Sequence, residues 1–182
     1  MSVKKVALVV GHATDKQGAW GNIGLSEYKF WKAFLHDVID ELPDKHEYRI
    51  FERPTKVKGY GSRMRLLHEK LDEWGSDLTI SFHFNAAGTP KASGHEVLYC
   101  SKKGGEYAKK MNDMFTKYLP NSKDRGIKKR SRRERGGGFL CRGRSVCILV
   151  EPYFAAHQDR FVKGTEGYEA LKKSLIEFLK EV

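Results

Sequence analysis

Lys5-Val6-Ala7-Leu8-Val9-Val10-Gly11-His12 is an apolar run of strand length that stops at a glycine and delivers a histidine. Nothing polar interrupts Val6 to Val10, so both faces of the strand must be covered, as in the middle of a parallel sheet. Leu78-Thr79-Ile80-Ser81-Phe82 before His83 and Cys147-Ile148-Leu149-Val150 before Glu151 repeat the arrangement. Around these runs the period changes to that of helices. After Gly18, Gly21 and Gly24, Ser26 is placed to N-cap a helix whose apolar positions Phe30, Trp31, Phe34, Val38 and Leu42 recur at helical steps and which stops at Pro43. A short strand near Tyr48 to Glu52 and a helix from Ser62 to Trp74, closed by Gly75, precede Leu78. A strand from Gly94 to Cys100, an amphipathic helix from Gly105 to Tyr118, a strand from Val146 to Val150 and a helix from Glu166 to Leu179 follow. Strands alternating with helices imply an α/β fold with a mostly parallel central sheet flanked by helices on both faces, in one domain over residues 1–182.

The chain of 182 residues is 40% hydrophobic and 12% aromatic, enough apolar material for one core. No apolar run approaches the ~18 residues a membrane span needs, and Val6 to Val10 is too short for a secretory signal. Cys100, Cys141 and Cys147 form no C-x-x-C pair and are too few for a disulfide framework, which points to a reducing compartment at synthesis and to Cys141 and Cys147 as packing residues. The net charge of +11 predicts attraction to an anionic polymer, whether nucleic acid, membrane surface or cell wall. From Lys123 to Arg144, ten basic residues stand against only Asp124 and Glu134, a net of +8. With Gly136-Gly137-Gly138 inside it, this segment reads as a mobile loop over the sheet edge where Glu151 emerges, holding the protein on an anionic surface.

Chemistry is concentrated where the buried strands end. In an open parallel sheet the ligand crevice lies outside the carboxyl ends of the strands, so His12, His83 and Glu151 should converge there. Glu27, in the first turn of the helix after the first strand, belongs to the same edge. Two histidines and a carboxylate make the ligand set of a catalytic zinc site with its fourth position open, and a further carboxylate can serve as the base. A single histidine at a strand end is ordinarily a hydrogen-bonded residue and no more; the joint pattern carries the argument.

The order Val10-Gly11-His12, Gly21 to Gly24 with Ser26-Glu27, Ser81-Phe82-His83-Phe84-Asn85, and Leu149-Val150-Glu151 with Tyr153-Phe154 resembles the zinc-dependent N-acetylmuramoyl-L-alanine amidases. Arg63 falls where that family has an arginine before its second histidine strand, and Gly94 to Tyr99 and Arg125-Gly126 resemble its later segments. The resemblance implies that His12, Glu27 and His83 bind Zn2+ and that Glu151 is the catalytic carboxylate, taking a proton from the attacking water. It implies peptidoglycan as substrate, cut at the amide between N-acetylmuramic acid and L-alanine. Asn85 is a candidate for orienting substrate or bracing the site, with satisfaction of nearby backbone groups as the plainer role. The chain departs from the family in Ala13-Thr14 after the first histidine, in Phe82 and Phe84 around the second, and in Pro152 after Glu151.

Other readings are weaker. The glycines at 18, 21 and 24 do not form a nucleotide loop. Another zinc hydrolase, such as a carboxypeptidase, would use the same ligands but needs a basic side chain for a substrate carboxylate. A nucleic-acid-binding protein built on Lys123 to Arg144 would need aromatic residues for base stacking, and that segment holds only Phe139, so no specific nucleic-acid partner is expected. His36, His46, His68 and His157 read as scattered surface or capped histidines, and His95 as adjoining the sheet edge. With no signal peptide and no wall-binding module in view, the expectation is a phage lysis enzyme made in the bacterial cytoplasm and acting on the cell wall.

Overall fold

The computed structural model describes residues 3–89, 91–119 and 121–182. Six strands form one sheet: β1 (Lys5–Val10), β2 (Glu47–Phe51), β3 (Leu78–Phe82), β4 (His95–Tyr99), β5 (Asp124–Lys129) and β6 (Val146–Glu151). The helices are α1 (Glu27–Val38), α2 (Tyr60–Trp74), α3 (Lys102–Tyr118), the short α4 (Gly137–Leu140) and α5 (Glu166–Glu181), with 3-10 turns at Ile39–Glu41 and Ala155–Phe161. The strand order is β2-β1-β3-β6-β4-β5, with every neighbouring pair parallel except β6 and β4. The mostly parallel α/β sheet is therefore as expected, with β4 and β5 running against the other four.

Pleating explains why the apolar runs are unbroken. Val6, Leu8 and Val10 face the cluster built with Trp31, Phe34, Phe115 and Phe178 from α1, α3 and α5. Ala7 and Val9 face the opposite cluster, with Met64, Leu67 and Leu71 of α2 and Phe139 and Leu140 of α4. Ser26, Ser101 and Thr165 each accept a backbone N–H of the helix they begin, and Gly75 ends α2 in the left-handed conformation. Register then sets the site. Val10 stands beside Phe82, and Phe82 beside Val150, so three strands reach the same edge together.

Two expectations are corrected. The Lys123 to Arg144 segment is not one loop, because Asp124–Lys129 is an edge strand parallel to β4 and Gly137–Leu140 is helical. An edge strand has one side open to solvent, so it tolerates charges that a central strand would not, while Ile127 packs on the core. Cys100 and Cys141 form a disulfide with their Cα atoms 5.5 Å apart, where reduced cysteines were expected. The pairing follows from the fold, since Cys100 ends the β4 segment and Cys141 follows α4, which packs over that strand. Cys147 is a buried free thiol, as its strand position implied.

The bridge spans a sequence separation of 41 residues, and closing a loop of that size removes about 4 kcal/mol of denatured-state entropy. Cys100→Ser with Cys141→Ser should lower the melting temperature by roughly 10 °C, and reduction of the parent should do the same. Equal melting of the three forms would show that the bridge contributes nothing.

Candidate active site

Gly11 lets β1 leave the sheet, because a Cβ there would sit 2.1 Å from the Phe82 carbonyl oxygen. The next residue, His12, has a φ of 65°, a strained conformation for a non-glycine residue and one concentrated at functional positions. Its Nε2 lies 3.2 Å from Glu27 Oε2. His83, at the exit of β3, places Nδ1 2.8 Å from Glu27 Oε1. Glu27, just past the Ser26 cap, also accepts hydrogen bonds from the backbone N–H of Ala19 at 3.0 Å and of Phe84 at 2.9 Å. The candidate ligand atoms of His12, Glu27 and His83 all lie within 4.8 Å of one another.

Burial would push the Glu27 carboxyl up, but hydrogen bonds from His12 and His83 outweigh it and hold the group far below the usual carboxylate range. Burial draws the His83 imidazole down, against the pull of Glu27. Above the cluster passes Gly18, where a Cβ would come 2.5 Å from both Glu27 Oε2 and His12 Cδ2. The glycine leaves a cradle over the three donors. These residues open into a cleft of about 650 Å³ that Glu151, Arg53, Tyr60 and Arg135 also line.

Glu151 ends β6 and is 3% exposed. Antiparallel pairing sets Glu96 of β4 directly beside it. Arg135 Nη2 donates to Glu151 Oε2 at 2.8 Å and to Glu96 Oε1 at 3.2 Å, and Arg125 Nε donates to Glu96 Oε2 at 2.9 Å. Burial, reinforced by Glu96, raises the Glu151 pKa well above the usual carboxylate range despite Arg135. Glu96 moves the other way: burial opposes its charge, but hydrogen bonds from Glu151 and Arg125 prevail. One carboxyl of the pair therefore favours a proton and the other stays ionised.

The fold thus gathers His12, Glu27, His83 and Glu151 into one cleft. Asn85 lies beside it, 4% exposed, with Oδ1 accepting from Ala86 N at 3.0 Å and its backbone bonded to Tyr153 and Ala155. Its Nδ2 is buried with no partner among the described residues. Arg63 grips Asp15 and the Val57 carbonyl, which anchors the loop after His12 to α2. His95 is away from the cluster, wholly buried and bonded to Ser122 and Thr116. Glu96, Arg135 and Arg53 were not singled out in the sequence. Glu96 and Arg53 carry no local signal, and Arg135 is one arginine in a run of them.

The fold is similar to that of a solved catalytic domain of an endolysin targeting Clostridia difficile, with TM-score 0.78 and 25% identity over 98% of this chain and 97% of that one. It is also similar to an N-acetylmuramoyl-L-alanine amidase from Clostridium difficile 630, with TM-score 0.74 and 16% identity over 98% and 97% of the two chains. A third, the amidase AmiC2 of Nostoc punctiforme, has TM-score 0.72 and 19% identity over 97% of each chain. No curated protein sequence matches the chain. The sequence profile of the N-acetylmuramoyl-L-alanine amidases matches residues 6–179, so with the fold, the cleft and this match together the chain belongs to that family.

Proposed function

We propose that residues 1–182 form one catalytic domain, a zinc-dependent peptidoglycan hydrolase that cuts the amide between N-acetylmuramic acid and L-alanine. The observation that carries the reading is the convergence of His12, Glu27 and His83 within 4.8 Å in a family of amidases, with Glu151 in the same cleft. The donor set fits zinc: two imidazoles and one ionised carboxylate, with a side left open to the cleft. The cradle beneath Gly18, which any side chain would fill, fits an ion as well. Zinc bound there would polarise the scissile carbonyl and make water acidic enough to attack near neutral pH.

Glu151 performs the proton transfers. It accepts a proton from the attacking water and passes it to the leaving amine of L-alanine, a role supported by its place in the same cleft as His12, Glu27 and His83. Asn85, whose backbone pairs with Tyr153 and Ala155, braces the segment that follows His83. The exposed part of the Lys123 to Arg144 segment, Lys129, Arg132 and Arg133 foremost, would hold the enzyme on the anionic wall. Likeness to an endolysin catalytic domain supports phage-mediated lysis as the setting, with synthesis in the bacterial cytoplasm. Among the described residues no helix is long and apolar enough to cross a membrane.

Digestion of purified peptidoglycan tests the reading. Intact stem peptides with a new L-alanine N-terminus are expected; free C-terminal amino acids would indicate a carboxypeptidase instead. His83→Ala should lose nearly all of one zinc per chain by metal analysis, and stoichiometric zinc in that variant would reject the ligand set. Glu151→Ala should keep zinc but lose about 100-fold to 10,000-fold in turnover; loss of both would make Glu151 a ligand. Wall binding should weaken steeply with salt, because exposed charges are screened over about 8 Å at physiological ionic strength. Serine at Lys128, Lys129, Arg130, Arg132 and Arg133 should flatten that dependence, and superimposable salt curves would remove the segment's role.

A further inference from the structure

β2 runs parallel to β1 with Phe51 level with Val9, so its exit brings Arg53 to the edge that carries His12. The half-buried side chain lines the catalytic cleft, with its guanidinium 5.5 Å from the centre of the Tyr60 ring. Nε is closed off from solvent without a partner, and no hydrogen bond or ion pair to Arg53 is found among the described residues. The surrounding carboxylates are committed elsewhere. Asp15 is held by Arg63, Glu27 by two histidines and two backbone N–H groups, and Glu151 by Arg135.

A guanidinium drawn away from water with no counter-charge is costly, and its planar fork of donors matches a carboxylate bidentately. It lines the same cleft as His12, Glu27, His83 and Glu151, within reach of a substrate held there. The Tyr60 ring lies beside the guanidinium, and Arg63 of α2 is already bound to Asp15.

We propose that Arg53 forms a carboxylate subsite for the stem peptide, binding the free α-carboxylate of its second residue, a γ-linked D-glutamate. This rests on the amidase reading above. That carboxylate is the first anionic group beyond the scissile amide, and it is lost when the residue is amidated to isoglutamine. The enzyme therefore discriminates between peptidoglycans by the amidation of this one position.

Two soluble muropeptides that differ only in this carboxylate or amide test the idea, with parent, Arg53→Gln and Arg53→Lys. The parent should cleave the carboxylate form with kcat/KM about 10-fold to 100-fold above the amide form, the size of one charge-assisted contact. Arg53→Gln should bring the carboxylate form down to the level of the amide form, while the amide form changes less than about 3-fold. Arg53→Lys should keep part of the preference. Equal rates of the parent on both substrates, or an equal loss on both in Arg53→Gln, would overturn the proposal. Calorimetric binding of the tripeptides L-alanyl-γ-D-glutamyl-L-lysine and L-alanyl-D-isoglutaminyl-L-lysine to the same proteins, in which the γ-carboxyl is tied up in the peptide bond and only the α-position differs, judges Arg53 without turnover. If no muropeptide is cut at alanine the amidase reading fails, whereas Arg53 stands or falls on whether the parent binds the α-carboxylate tripeptide more tightly and Arg53→Gln does not.

Discussion

Glu27 is only 2% exposed and ionised, and a charge so placed is tolerated only where each of its oxygens finds donors. Its donors come from two segments, His12 and Ala19 in the loop between β1 and α1, and His83 with Phe84 after β3. The carboxylate therefore ties the exits of two central strands to the start of α1. Each neighbouring peculiarity follows from this tie. Gly11 allows the chain to turn against Phe82, His12 takes a left-handed φ to reach the carboxylate, and Gly18 must lack a side chain to pass over it. The first turn of α1 adds its own field, because unpaired N–H groups at a helix start favour a negative charge.

Reversal of β4 has a chemical consequence. In a wholly parallel sheet only the carboxyl ends of strands reach the crevice, and all would present their last residues there. Because β4 and β5 run the other way, their first residues arrive at that edge instead. Glu96, second in β4, comes to stand beside Glu151, last in β6, and Arg125, second in β5, bonds to Glu96. Two buried carboxylates side by side repel each other, and Arg125 and Arg135 relieve the repulsion unequally. Burial, reinforced by Glu96, raises the affinity of Glu151 for a proton, while Arg125 serves Glu96 alone and helps to keep it ionised.

How much of this could be read from the chain depended on whether the signal was local. Runs such as Val6 to Val10 and Cys147 to Val150 announce themselves because burial on both faces excludes polar residues, and their ends placed His12, His83 and Glu151 correctly at one edge. Ser26 and Gly75 marked helix ends because capping is a local hydrogen-bond requirement. β5 was not legible: Asp124-Arg125-Gly126-Ile127-Lys128-Lys129 has one apolar residue, and an edge strand needs little more. Strand direction is not written in local pattern at all, so the meeting of Glu96 with Glu151 was invisible. The Cys100 to Cys141 bridge likewise depends on α4 packing over β4, which no spacing of cysteines encodes.

The basic segment shows why a net charge is a poor unit of explanation. Its arginines divide by what they touch. Arg125 and Arg135 are bound to the paired carboxylates beside the cleft, and Arg144 reaches Asp72. Lys129, Arg132 and Arg133 are left exposed to solvent with no ion pair found among the described residues. Arg125 and Arg135 answer the negative charge created by burying Glu96 and Glu151, and would be needed whatever the substrate. Only the second group projects a field into solvent, from the mouth of the cleft that Arg133 lines. A field from residues at the mouth acts on an anionic polymer before contact, whereas the half-buried Arg53 in the same cleft acts on groups already within it. Long-range attraction and local recognition are thus carried by different arginines, and salt should separate them, since screening removes the first while leaving short, partly buried pairs largely intact.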